Sequence, residues 1–290
     1  MLLRIVSVMF PVFAIVAVGY WYGRLKKPDM RVANQLNMEF FVPALVFAAL
    51  ASKSFDLQSY WLLAVGGVVV ILGSGLVAWP LARCLKVDPR LFVPPMMFSN
   101  CGNMGLPLAI LAFGESALPA AVMLFLVGNT LHYSLGIWMM SPTARLMGLW
   151  REPVILASIA GLAVSLLQVQ LWQPLYFAIK MLGDVSIPLL LFSLGVRLTQ
   201  ADFSDVRFGL LGAVVCPVAG LLFAALSVWL LPLPPEHAAM LIVFGALPPA
   251  VLNFVFAEKY GVQPERMASL VMVGNLMSVL FVAMALYWVL

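Results

Sequence analysis

The sequence predicts an all-α integral membrane protein: ten transmembrane helices in two inverted five-helix repeats, with broken fourth and ninth helices that cross. Three observations predict it. Of 290 residues, 64% are hydrophobic and 10% charged, with a mean hydropathy of +1.06, against roughly 45–50% and 25% in soluble domains. Apolar windows long enough for a hydrocarbon core of about 30 Å recur along the whole chain, separated by short polar joints. The decapeptide SNCGNMGLPL, 99–108, rich in Asn, Gly and Pro, sits inside one such window, and GALPPAVLNF, 245–254, sits inside another.

Reading apolar runs against polar breaks gives the elements in order. The first span, 3–23, lacks the short core and cleavage pattern of a signal peptide and is read as retained; it ends at Arg24, Lys26 and Lys27. The second, 34–51, carries Glu39 and Pro43, and the third, 60–82, ends at Arg83. The fourth, 91–113, holds SNCGNMGLPL, and the fifth, 117–140, carries Val127-Gly128-Asn129 and His132. The sixth, 152–170, opens on Pro153; the seventh, 176–197, contains Lys180, Asp184 and Pro188. The eighth is 208–231, the ninth, 237–257, holds GALPPAVLNF, and the tenth, 267–289, carries Val273-Gly274-Asn275.

Basic residues orient these spans. Thirteen Lys and Arg fall on one side: Arg24, Lys26, Lys27, Arg31, Arg83, Lys86, Arg90, Arg145, Arg151, Arg197, Arg207, Lys259 and Arg266. Arg4 and Lys53 fall on the other. The excess marks the cytoplasmic side, so both termini are expected outside the cytoplasm of a multi-pass protein of the cell's inner (plasma) membrane. An added or missing span would scramble that alternation.

The same chain carries an internal repeat. Glu39, Pro43, Leu45 and Phe47 recur 145 positions later as Asp184, Pro188, Leu190 and Phe192. The Val-Gly-Asn triplets are 146 apart, Pro11 and Pro153 are 142 apart, and Leu106-Pro107 and Leu247-Pro248 are 141 apart. Residues 1–141 and 151–290 then form two five-helix halves, and an odd number of spans inverts the second half. Inverted repeats with interrupted helices at corresponding places are a transporter signature.

Glycine and proline cost about 1 and 3 kcal/mol in a helix interior, and unwound backbone in hydrocarbon must be buried in protein or line a cavity. Restarts at Pro107 and at Pro248 or Pro249 would aim two helix N-termini, each worth about half a positive charge, at one spot. That arrangement suits a carboxylate or another small anion. Asn100, Asn103 and Asn253 add donors, and Asn129 and Asn275 lie at similar depth; Cys101 and Gly102 complete the segment. The candidate substrate site is therefore Asn100, Cys101, Gly102, Asn103, Pro107, Asn129, Pro248, Pro249, Asn253 and Asn275. Alternatively, the two segments are proline kinks whose asparagines mend the backbone.

Ionisable residues within spans are functional candidates. Glu39, Asp184, Lys180 and His132 are the residues that could couple transport to a proton, although Asp184 can pair with Lys180 and His132 can serve as a hydrogen-bonded core histidine. Glu115, Glu258 and Lys259 read as solvated end charges. The sequence lacks HExxH and GxSxG, which argues against an enzyme. Cys84, Cys101 and Cys216 are widely spaced structural thiols, so neither a metal nor a cofactor is expected, with coupling to H+ or Na+ left open. The net charge of +4 is scattered over short loops, which argues against nucleic acid.

SNCGNMGLPL with Phe113-Gly114, ALPPAVLNFVFAEKYG (246–261), REPVILASIAGL (151–162) and SIPLLLFSLGVRL (186–198) resemble the crossover, ninth, sixth and seventh helix segments of the auxin efflux carriers. The resemblance implies a ten-helix fold shared in outline with bile-acid symporters and sodium/proton antiporters. It implies a scaffold of helices 1, 2, 6 and 7, often dimeric through helices 2 and 7, and a mobile transport domain of helices 3–5 and 8–10. Asn100, Asn103, Pro107, Pro248 and Pro249 match its crossover positions, with Asn103 standing where relatives often carry an aromatic residue. The expectation is a secondary transporter of small organic anions, carboxylates above all, working by alternating access. A cation/proton antiporter, a sodium-coupled symporter of similar fold and a transport-inactive ligand sensor are the alternatives.

Overall fold

The computed structural model describes residues 2–52, 57–143, 151–199 and 205–290; Lys53 and Arg145 of the charge tally lie outside them. In chain order its helices begin with α1 (Leu2–Lys26), α2 (Arg31–Leu50), α3 (Leu57–Cys84) and α4 (Pro89–Met97). There follow α5 (Cys101–Phe113), α6 (Glu115–Met140), α7 (Pro153–Leu166) and α8 (Gln173–Leu198). The last are α9 (Val206–Leu230), α10 (Pro235–Gly245), α11 (Leu252–Tyr260) and α12 (Pro264–Val289). Among the described residues there is no strand, only an isolated antiparallel bridge between Ser99 and Pro249.

Among the described residues seven helices, α1, α2, α3, α6, α8, α9 and α12, are long and apolar enough to cross a membrane. The remaining apolar helices are shorter. α7, with 14 residues, is only about 21 Å long at 1.5 Å per residue. The sixth expected span ran to 170, but the chain turns after Leu166. Gln168 adopts φ 52°, and Val169 N–H donates back to the Val164 carbonyl at 3.0 Å, which closes the helix with a left-handed cap.

Local sequence explains the other ends. Asp88 opens α4: its carboxylate accepts from Arg90 N–H and meets Arg90 Nη2, both at 2.9 Å. Burial pushes this carboxyl up, and the hydrogen bonds from the Arg90 side chain and backbone outweigh it, leaving the group below its ordinary value. A depressed carboxyl stabilises the fold above its unfolded pKa and loses that contribution as pH falls through the folded one. Asp88→Ala is expected to cost about 1 kcal/mol, read as a lower melting temperature at neutral pH, with the difference from wild type shrinking in acid.

Helix packing falls into two sets. The Ser186–Leu198 half of α8 runs along α1, while α2 packs on α7 and on the Gln173–Asp184 half of α8. Separately, α9 lies against α12, α3 and α10, and α3 against α4 and α6. The α1–α8 contact is backbone to backbone. A Cβ on Gly195 would fall on the Val16 carbonyl oxygen, and one on Gly19 on that of Phe192, the small-residue packing by which helices associate in lipid. At the far end of the bundle Arg4 Nη1 donates to the Leu290 carbonyl at 3.2 Å.

Candidate functional site

The two interrupted segments meet at the centre. Asn100 N–H donates to the Pro248 carbonyl at 2.7 Å, and Ala250 N–H to the Phe98 carbonyl at 2.9 Å. Each break thus supplies the backbone partner that the other lost on leaving its helix, the internal satisfaction that apolar surroundings require. The breaks differ in place from expectation. Only residues 98–100 leave the helix in the first segment: Cys101–Gly105 already forms a π-helical turn, and Pro107 lies within α5. In the second, α10 ends at Gly245 and α11 restarts at Leu252, so Pro248 and Pro249 occupy the extended link rather than a first turn. Proline restrains its predecessor to extended backbone, and two in succession hold this link open. The match of Leu106-Pro107 with Leu247-Pro248 therefore pairs residues at different stations of the two breaks.

Three asparagines fasten the crossing. Asn100, Asn253 and Asn275 are 3%, 0% and 4% exposed. Asn100 Nδ2 donates to Asn275 Oδ1 at 2.8 Å, and Asn275 Nδ2 donates to the carbonyls of Pro249 and Val271 at 3.1 and 2.8 Å. Asn253 Nδ2 donates to the Phe98 and Ala250 carbonyls at 3.1 and 3.0 Å. Since that nitrogen is the donor, Asn253 Oδ1 is left to accept from His132 Nε2, 3.0 Å away, which places the histidine proton on Nε2. The His132 ring also stacks on Phe98 with centroids 4.3 Å apart.

In front of the crossing lies a cavity of about 820 Å³. Five candidate residues line it: Asn100, Cys101, Gly102, Asn103 and Asn129; Pro107, Pro248, Pro249, Asn253 and Asn275 stand behind the wall. The side chains of Asn103 and Asn129 make no hydrogen bond among the described residues. At the start of α5, the N–H groups of Asn103, Met104 and Gly105 are all taken by Asn100, the first by its side chain and the others by its carbonyl. Gly102 N–H has no partner among the described residues, so the helix terminus offers one free donor rather than a full turn of them.

The coupling candidates separate. His132 and Glu39 line the cavity, Glu39 exposed and accepting from Gln35 Nε2 at 2.9 Å. Lys180 and Asp184 pair at 3.1 Å on the exposed outside of α8, away from the cavity. Sequence reasoning missed the π-helical turns Asn37–Phe41, Cys101–Gly105 and His132–Gly136. All three put residues on the cavity wall, in keeping with the concentration of such turns at functional sites. It also missed Asn37, Ser193 and Arg197 as wall residues, and Arg151 and Glu152 where the cavity reaches the helix ends. Burial pushes the Glu152 carboxyl up, with Lys259 acting the other way. No cluster of metal-ligating side chains occurs among the described residues.

Comparison with known proteins adds family evidence. The family described as membrane transport protein matches residues 4–149 and 143–287. A Rhizobium meliloti protein named "Putative malonate transporter" is 26% identical over 98% of this chain and 95% of its own length. The Escherichia coli (strain K12) protein named "Uncharacterized transporter YfdV" is 22% identical over 90% of each chain. Auxin efflux carrier component 6 of Arabidopsis thaliana is 28% identical over 44% of this chain and 24% of its own length.

Proposed function

Since the chain belongs to the membrane transport protein family, that of the auxin efflux carriers and of transporters rather than enzymes, we propose that it is a secondary carrier of small organic anions. Carboxylates are the class favoured, and alternating access is the mechanism. The observation that carries this reading is the cavity that ends on the crossing, where Asn103 and Asn129 present amides with no partner among the described residues. An amide nitrogen donates to a carboxylate oxygen, and a hydrogen bond to a charged acceptor is worth about 1.5–3 kcal/mol. The relative named for malonate supports the same class.

In this reading α4 with α5 and α10 with α11 each cross as two half-helices, and with α7 they bring the spans to ten in two inverted halves. Its supports are the mutual bonding of the two breaks and the reciprocal packing of α1 on α8 and α7 on α2. The set α1, α2, α7 and α8 is then the scaffold, and the set built on α3, α6, α9 and α12 moves with the crossing. The Arg4–Leu290 contact supports termini on one side, and the basic loops assign that side to the exterior of the inner membrane. Lys180, Asp184 and the exposed Phe177 and Met181 beside them support a dimer contact along α2 and α8, because a charge pair facing lipid is costly.

Uptake of radiolabelled malonate by proteoliposomes, with a thermal-shift panel of carboxylates with and without sodium, tests the proposal. A ligand that binds only the folded protein raises its apparent stability. A protein that neither binds nor moves any carboxylate would sink the anion reading. Asp184→Asn is expected to leave uptake within about twofold of wild type, as befits an exposed ion pair outside the cavity. Loss of uptake with retained binding would instead put a proton on Asp184 and favour the cation-coupled alternative.

A further inference from the structure

The ends of α1 and α8 enclose a second cavity, of about 420 Å³, lined by Gly23, Arg24, Lys27 and Thr199. It shares no lining residue with the cavity in front of the crossing. Glycine brings the two helix ends together: a Cβ on Gly23 would fall 2.9 Å from Thr199 Cγ2 and 3.2 Å from Val196 Cα. The chain leaves α1 at Lys27, whose φ is 46° and whose N–H donates to the Gly23 carbonyl at 3.0 Å. This left-handed cap sets Lys27 one turn beyond Arg24, with both on the same cavity.

The two cations lack a counter-charge. Neither side chain makes a hydrogen bond or ion pair among the described residues, and no acid is among the lining residues. Asp29, the nearest acid along the chain, is held by Arg31 through both oxygens, Oδ1 at 3.0 Å from Nε and Oδ2 at 2.7 Å from Nη2. The Thr199 hydroxyl is spent on the Val196 carbonyl at 2.7 Å. Like charges one turn apart repel. The dipole at a helix C-terminus favours cations there but does not require that they share a cavity. An anion with several oxygens, seated between Arg24 and Lys27, relieves the repulsion and supplies both with a partner.

The depth of the cavity names the source of that anion. Tyr20, Trp21 and Tyr22 precede it directly on α1 and are all exposed, as in the aromatic belts that lie at headgroup level. Deeper along α1, Phe10 and Val18 are exposed as well, an apolar surface suited to acyl chains. Basic pockets between spans at this level take lipid phosphate. We infer that the cavity binds the headgroup phosphate of an anionic phospholipid between Arg24 and Lys27, and that the bound lipid ties the end of α1 to that of α8. The inference is independent of what the main cavity carries, since none of that cavity's residues takes part.

The test titrates delipidated full-length protein in a neutral detergent with dioleoylphosphatidylglycerol, dioleoylphosphatidylcholine or inorganic phosphate and follows the melting temperature, which a ligand of the folded protein raises. Wild type is expected to respond to phosphatidylglycerol at about tenfold lower concentration than to phosphatidylcholine, and not to millimolar phosphate. Arg24→Gln and Lys27→Gln should each weaken the phosphatidylglycerol midpoint about fivefold, and the double variant about twentyfold, as expected for two cations near a charged headgroup. The single variants carry the readout if the double variant does not fold. Arg83→Gln/Lys86→Gln is the matched control: it removes two cations of the same spacing near the end of α3 that do not line the cavity, and it should titrate as wild type. Equal responses to the two lipids in wild type would overturn the inference, as would an undiminished phosphatidylglycerol response in the Arg24 and Lys27 variants. An equal loss in the control would reduce the effect to bulk charge and overturn it too. Phosphate that stabilises as well as phosphatidylglycerol would make the cavity a site for a soluble anion and overturn the assignment to lipid.

Discussion

Alanine at Asn103 or at Asn129 is expected to cut carboxylate uptake about tenfold to a hundredfold, the loss that follows from removing one hydrogen bond of about 1.5–3 kcal/mol to a charged acceptor. The expectation depends on a contrast within the asparagine set. Asn100 and Asn275 bond each other, and with Asn253 they are spent on the crossing and on His132, whereas Asn103 and Asn129 line the cavity with side chains that have no partner among the described residues. Their removal forfeits no side-chain bond among the described residues, so the variants should melt with wild type while uptake falls. Asn275→Ala is the matched control: it strips the Pro249 carbonyl and Asn100 of their partners and should lower stability. Uptake that persisted in the Asn103→Ala/Asn129→Ala double variant would remove the crossing from the substrate path.

Asn129 and Asn275 also show how far sequence carries an account of the site. The two occupy equivalent Val-Gly-Asn triplets, and sequence alone assigns them one role. In the structure Asn275 braces a break and Asn129 faces the cavity, because that cavity lies on the Asn129 side of the crossing. A repeat in sequence cannot show which of two equivalent residues a single conformation exposes.

The helices themselves were legible because the physics behind them is one-dimensional. A span must be apolar for about 20 residues, and glycine and proline inside it announce interruption. The register of the interruption was not legible, since it depends on partners far along the chain. The first break sits at 98–100, short of Pro107, because Asn100 N–H finds the Pro248 carbonyl and Asn100 Oδ1 caps the turn that follows. The π-helical turns were silent for a related reason. Residues such as Asn37–Phe41 have no distinctive composition, and what selects the wider turn is the packing around it. Arg197 was hidden in plain view, counted among loop cations, because nothing in SLGVRL distinguishes an arginine at a helix end from one that lines a cavity.

Asn253→Ala is expected to be the most destabilising of the conservative changes at the crossing, by about 2–4 kcal/mol from one bond lost at each of two buried carbonyls and a buried histidine donor left without its acceptor. Both its donated bonds end on backbone outside the helices, on the Phe98 carbonyl, which also accepts from Ala250 N–H, and on the Ala250 carbonyl, which also accepts from Asn253 N–H, and the site is fully enclosed. His132 separates the contributions. His132→Phe keeps a ring against Phe98 but takes the donor from Asn253 Oδ1, so it should cost less than Asn253→Ala, whose damage includes the two carbonyls. In the double variant the cost should fall short of the sum by the energy of the His132–Asn253 bond alone, because the two bonds from Asn253 to the carbonyls are lost whichever ring occupies position 132. Equal costs for the two single variants would mean that Asn253 serves the histidine rather than the break. If Asn253→Ala instead melted with wild type and still lost uptake, Asn253 would have to reach the substrate in another conformation of the crossing, and the division of the asparagines into braces and binders would fall with it.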